Sequence, residues 1–218
     1  MRTRSLCFSA AMGFLTMSAS ALTAQMNASS GPKWMGGPFV GVNYTTVGGS
    51  GVTDPGYKAG IAAGGQLQAD FNDGWFFRTA LLYSMRGAKA TESNVHITLT
   101  ENYIEAPFLL GYGFKSAGST MTPFVMAGGQ VGFKVSCDIA GEQSGTTASV
   151  KCDDSDSKFK STDFAGVGGA GVMFPAARGT VSIDARYAYS FQNLTDSGDN
   201  VKHRGFTFGI AYMIPFGH

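Results

Sequence analysis

The segment Gly205-Phe206-Thr207-Phe208-Gly209-Ile210-Ala211-Tyr212-Met213-Ile214-Pro215-Phe216 decides the fold. Its even-numbered positions are Phe, Phe, Ile, Tyr, Ile and Phe, and its odd-numbered positions are Gly, Thr, Gly, Ala, Met and Pro. Side chains alternate across a strand, so one face is large and aromatic and the other small. A strand of a soluble antiparallel sheet buries its apolar face and leaves polar groups on the other. Here the second face is too small for a solvated surface and suits the inside of a narrow barrel. The aromatic face suits lipid. The segment reads as the closing strand of a membrane β-barrel.

Other stretches repeat this pattern. In Thr180–Gln192, Val181, Ile183, Tyr187, Tyr189 and Phe191 alternate with Ser182, Asp184, Arg186, Ser190 and Gln192. In 75–87, Trp75, Phe77, Leu81, Tyr83 and Met85 oppose Arg78, Ser84 and Arg86. Further strands are read at 38–47, 58–71, 95–114, 122–135 and 162–174, the last so rich in glycine that its facing stays open. Between Leu99 and Ile104 the apolar residues change parity; the alternatives are a bulge near 100–102 or a strand extension clear of the membrane, and the extension is preferred. Asn72-Asp73-Gly74 is a tight hairpin turn.

Eight strands result, with long connections near 48–57, 88–100, 136–160 and 193–202 and short ones near 72–74, 115–120 and 175–179. Outer-membrane barrels alternate long external loops with short periplasmic turns, and a secreted β-sandwich has no reason to do so. The expected fold is all-β, an eight-stranded antiparallel transmembrane β-barrel running as an up-and-down meander. Its lipid face is expected to carry Phe77, Leu81, Tyr83, Phe108, Leu110, Tyr112, Phe133, Ile183, Tyr187, Tyr189, Phe208, Ile210 and Tyr212.

The start of the chain fits that destination. Arg2 and Arg4 precede an apolar run to Leu15 and small residues to Ala24, the order of a cleaved signal peptide with an apolar stretch too short to span a bilayer. The expected organisation is a signal peptide at 1–24, a periplasmic segment at 25–37 and the barrel domain at 38–216, placed in the outer membrane. Glycine (31) and phenylalanine (17) are abundant while charged residues make up 14 %, which suits strands packed in a small barrel, though composition alone also allows a secreted β-sandwich. A net charge of +1 exerts no pull on nucleic acid.

The run Tyr103-Ile104-Glu105-Ala106-Pro107-Phe108-Leu109-Leu110-Gly111-Tyr112, followed by a short turn and the glycine-rich Thr122–Gly129, resembles the porin-family, PorT-like outer-membrane barrels of Gram-negative bacteria. The resemblance covers the mature chain and implies a barrel, not an activity. It also implies recognition by the outer-membrane assembly machinery through a terminal aromatic residue, here Phe216, displaced by Gly217 and His218.

Polar residues on the small faces are Gln66, Gln68, Asp70, Arg78, Arg86, Glu105, Gln130, Lys134, Asp184, Arg186 and Arg204. Eight strands leave an interior that side chains can fill. Charges there must pair or cost several kcal/mol each. Arg78, Arg86, Glu105, Lys134, Asp184 and Arg186 are therefore expected to close the lumen as an ion-pair network, the alternative being a narrow ion pathway lined by the same groups.

Cys137 and Cys152 flank the third long loop, and an even pair in an exported protein reads as a disulfide. It would gather Asp138, Glu142, Asp153, Asp154 and Asp156 in one exposed acidic loop, either merely solvated or in loose contact with divalent cations and lipopolysaccharide. That loop lacks the glycine and terminal glutamate of an EF-hand, so no resident metal and no cofactor are implied.

A lipid-modifying enzyme would need a histidine beside a serine and an acid at the rim. His96, Thr98 and Glu101 lie near one loop and His203 begins the last strand, but no serine stands at matching spacing and G-x-S-x-G does not occur. The role expected is non-enzymatic: envelope integrity, with loops available for adhesion or a host ligand, and contacts with outer-membrane lipids and lipopolysaccharide. A small porin and a lipid-modifying enzyme are the alternatives.

Overall fold

The computed structural model describes residues 31–49, 55–92, 95–143, 146–152, 161–193 and 200–216. The segment read as a signal peptide lies outside them, as do Asp153, Asp154 and Asp156. The strands are β1 (Lys33–Gly49), β2 (Gly56–Asp70), β3 (Trp75–Glu92), β4 (Val95–Gly113), β5 (Thr122–Gln143), β6 (Thr146–Lys151), β7 (Thr162–Ala176), β8 (Gly179–Ser190) and β9 (Val201–Phe216). All pairings are antiparallel. Eight strands close a ring in the order β4-β3-β2-β1-β9-β8-β7-β5, with β4 returning to β5. β6 lies outside the ring and pairs only with the outer end of β5 among the described residues.

The first and last strands seal the ring in register, Trp34 opposite Phe216 and Gly41 opposite Gly209. β1 therefore begins at Lys33, within the stretch read as a periplasmic segment. Lys33–Gly37 also pair with Asp70–Gln66 of β2, and these backbone bonds hold them in the wall.

The alternation seen in the closing segment runs around the whole ring. Every residue expected to face lipid lies on the outward face; Phe77, Tyr112 and Tyr212 are half-buried and the others exposed. Inward glycines make room for inward rings. A Cβ at Gly209 would come within 2.2 Å of the Phe39 ring, and one at Gly111 within 2.2 Å of Phe76. This is why a narrow bore can hold Phe39, Phe76 and Phe124 fully buried.

Three features differ from expectation. Much of two expected loops is strand: β3 runs on to Glu92 and pairs with the preferred β4 extension from Val95, and β5 and β6 form a hairpin over Thr122–Lys151. Their register continues from the barrel, His96 opposite Glu142 and Ile139 opposite Val150, so a sheet rises above the ring at the long-loop end. Second, β4 carries no bulge against β3; the register shift lies against β5 between Asn102 and Tyr103, and its extra residue is Val135. Ile97 and Leu99 thus share the lumen-side face with Glu101, Tyr103 and Glu105. Third, Arg204 points outward and is exposed, because β9 keeps its odd residues inside as far as His203.

Candidate functional site: the polar lumen

Two polar layers cross the bore. The lower one, toward the short turns, is built on Asp184. Arg78 donates from Nη1 to Asp184 Oδ2 at 3.3 Å, and Arg186 donates from Nε to Oδ1 at 2.5 Å. β3 and β8 stand opposite each other in the ring, so the Arg78–Asp184 pair spans its diameter. Gln68 Oε1 accepts from Arg78 Nε at 2.8 Å and from Nη2 at 2.6 Å, and Gln66 Oε1 accepts from Arg186 Nη2 at 2.8 Å. Gln68 in turn donates to Asp70 Oδ1 at 2.7 Å.

Aromatic rings cover the remaining guanidinium faces. The Arg78 guanidinium lies 4.7 Å from the Phe124 ring centre and 5.0 Å from that of Phe76, and Arg186 lies 4.7 Å from Phe39. Such stacking stabilises a desolvated cation that water no longer reaches. The side chains of Arg78 and Asp184 are both 0 % exposed.

The upper layer is built on Arg86. Its Nε lies 2.5 Å from Glu105 Oε1, and its Nη1 donates to Asp163 Oδ2 at 2.9 Å. Ser190 Oγ donates to the same carboxylate at 2.9 Å, and the Tyr103 ring lies 5.3 Å from the guanidinium. Above it, His203 Nε2 meets Glu101 Oε2 at 2.5 Å, and Tyr103 OH donates to Glu101 Oε1 at 3.3 Å. β4 and β9 are again opposite in the ring, so this pair also spans the bore. Lys134, in register with Tyr103, faces the lumen, and its charge acts on Glu101. Beside these groups Asn43 donates to Ser84 Oγ at 2.8 Å and accepts from Thr207 Oγ1 at 2.8 Å.

Between the layers lies a cavity of about 20 Å³, bordered by Arg86, Glu105, Gln130, Arg186, Ser190 and His203. A water needs roughly 10–15 Å³ measured this way, so the space holds about one. Below the lower layer, a vestibule of about 180 Å³ opens at the short-turn end between Asp70, Trp75, Lys115 and Met173.

Of the expected network, Arg78, Asp184 and Arg186 form one layer, Arg86 and Glu105 belong to the other, and Lys134 faces the lumen beside it. Cys137 and Cys152 are joined as a disulfide, with Cα atoms 5.3 Å apart. Asp138 and Glu142 stand on β5, opposite Lys151 and Thr147, in sheet instead of an irregular acidic loop. Among the described residues no cluster of three or more His, Cys, Asp or Glu side chains is arranged to hold a metal ion.

His96 and His203 are far apart in character. His96 is exposed, with Nδ1 3.0 Å from Thr91 Oγ1, while His203 is buried against Glu101. Sequence reasoning placed Glu101 near a loop and His203 at a strand start, and did not pair them. Asp163 and Ser190 were missed in the network as well. The parity of Glu101 with Tyr103 and Glu105 was the available signal for the first; Asp163 sat in the strand whose facing was open.

The family of outer membrane protein beta-barrel domains matches residues 23–196, and the chain belongs to that family. It is an integral protein of the outer membrane. Among solved structures it is similar to Neisserial surface protein A, at 14 % identity over 86 % of this chain and 100 % of that one, with a TM-score of 0.47. OprG from Pseudomonas aeruginosa is 12 % identical over 87 % of this chain and 97 % of its own, with a TM-score of 0.49. Ail of Yersinia pestis, solved in complex with the heparin analogue sucrose octasulfate, is 17 % identical over 84 % and 99 %, with a TM-score of 0.42. No curated protein matches the chain.

Proposed function

We propose that this outer-membrane barrel has a structural and surface-presenting role: a closed, rigid anchor that holds a raised sheet and loops outside the cell. The observation that carries the reading is the filled lumen. Two bore-spanning ion-pair layers cross it, and the cavity between them, about 20 Å³, has room for about one water. A buried pair is weak evidence for stability but a firm obstacle, since removing one partner leaves an unpaired buried charge. The disulfide between Cys137 and Cys152 ties the end of β6 back to β5 and braces the raised hairpin. Exposed residues of that sheet, among them Glu142 and Lys151, supply mixed charge for a loop-mediated surface or host contact. No catalytic step is proposed, because the described histidines are held by Thr91 and Glu101 with no serine nucleophile beside either.

Single-channel conductance of the refolded protein in a planar bilayer tests this reading. The wild type is expected to be silent and Arg86→Ala/Arg186→Ala, which opens both layers, to leak, whereas Arg186→Ala alone leaves the upper layer closed. Steady, selective wild-type current would make the protein a small porin.

A further inference from the structure

The outer wall is not uniformly convex. On the outward faces of β1, β9, β8 and β7 lies an apolar groove of about 650 Å³, lined by Val40, Val42, Ala170, Ala185, Phe208 and Ile210. Its floor is the in-register pair Ala170–Ala185, with Phe208 beside Ala185 as one wall. One row nearer the long-loop end, Phe206 packs on Tyr187 with ring centres 5.0 Å apart, in register with Tyr44.

Two cations stand above that aromatic row. Arg204, four residues beyond Phe208 and so about 13 Å farther along the strand, is exposed and in register with Tyr189. Its guanidinium lies over Gly48, where a Cβ would come within 3.1 Å of Cζ. Lys202 Nζ lies 5.9 Å from the Tyr189 ring on the same face. Among the described residues neither cation has a carboxylate partner.

Among the described residues, then, two outward cations without an acid partner stand toward the long-loop end above an apolar trough. We propose that this face docks one lipopolysaccharide molecule, its lipid A phosphate held by Lys202 and Arg204 and an acyl chain laid in the groove below. The long-loop end faces the outer leaflet, whose lipid bears such phosphates. Attraction of surface cations for anionic lipid and burial of acyl chain then act together. The inference does not depend on whether the lumen conducts.

Native mass spectrometry of the full protein in detergent, titrated with bis-phosphorylated lipid A, dephosphorylated lipid A and phosphatidylglycerol, tests it. The wild type is expected to retain bis-phosphorylated lipid A, with Lys202→Gln/Arg204→Gln weakening retention roughly thirty-fold. Ala185→Phe, which fills the floor and leaves both charges, should weaken it several-fold. Lys115→Gln, a cation at the opposite end, should change nothing. Equal retention of phosphorylated and dephosphorylated lipid A by the wild type would overturn the proposal even if a variant failed to fold. So would an unaltered double variant of intact heat-modifiable gel mobility, an equal loss on Lys115→Gln, or tighter binding of phosphatidylglycerol than of lipid A.

Discussion

The two lumen layers solve one problem with opposite stoichiometry. In the lower layer a single acid, Asp184, serves two bases, Arg78 and Arg186; in the upper layer a single base, Arg86, serves two acids, Glu105 and Asp163. Each is completed by a neighbour of the scarcer sign: Asp70, reached through Gln68, and Lys134. The lower layer also packs its guanidiniums on the Phe39, Phe76 and Phe124 rings, whereas the upper one is joined by Ser190, Tyr103 and the Glu101–His203 pair. The lower layer thus depends on one carboxylate in direct contact with its arginines, and the upper layer distributes its dependence over two. Among the described lumen residues a histidine, His203, occurs only in the upper layer.

That asymmetry can be broken at Asp184. Asp184→Ala leaves two buried guanidiniums without their carboxylate, so a loss of about 3–5 kcal/mol is expected in urea unfolding from detergent micelles or liposomes. A loss below about 1 kcal/mol would mean that water enters the layer and that the closed-lumen reading is mistaken.

A Cys137→Ser/Cys152→Ser double variant asks whether the upper layer leans on the hairpin above it, since Cys137 is the register partner of Glu101. Removing a cross-link of this loop length should cost about 3 kcal/mol in the chain-entropy picture. The accompanying readout is faster proteolysis within 138–151 while the barrel stays folded; unchanged cleavage would separate the hairpin's order from its disulfide.

Glu105→Ala should cost about 1.5–3 kcal/mol, the range for a hydrogen bond to a charged group, because Arg86 keeps Asp163. If it matched Asp184→Ala in the same unfolding experiment, the two layers would be equivalent and the stoichiometric contrast would carry no energetic weight. The finest test is Tyr103→Phe, which removes one hydroxyl donor to Glu101. About 0.5–1.5 kcal/mol is expected, and a stabilising result would show that His203 alone satisfies that carboxylate.

Much of the wall was legible before any coordinates. Phe208, Ile210, Ile183 and Leu81 declared the outward face through a two-residue period that depends only on strand geometry. The same period placed Arg78, Arg86, Asp184 and Arg186 inside. It was silent where side chains were too small to mark a face, as in Ala165–Gly171, and so Asp163 went unassigned until β5 and β8 fixed the facing of β7. It also misjudged chain that alternates while standing clear of the ring, reading Cys137–Lys151 as loop although the hairpin β5–β6 forms there.

Alternation along each strand, a local property, was sufficient to determine that this chain forms a lipid-facing barrel and to place Arg78, Arg86, Asp184 and Arg186 inside it. Which acid meets which base was decided only by ring closure. Arg78 reaches Asp184 across 106 positions and Glu101 reaches His203 across 102, because strand order and register place β3 against β8, and β4 against β9, across one narrow bore. Partners so distant in the chain share no local signal; they are selected by the diameter of the ring and by the cost of leaving a charge unpaired inside it.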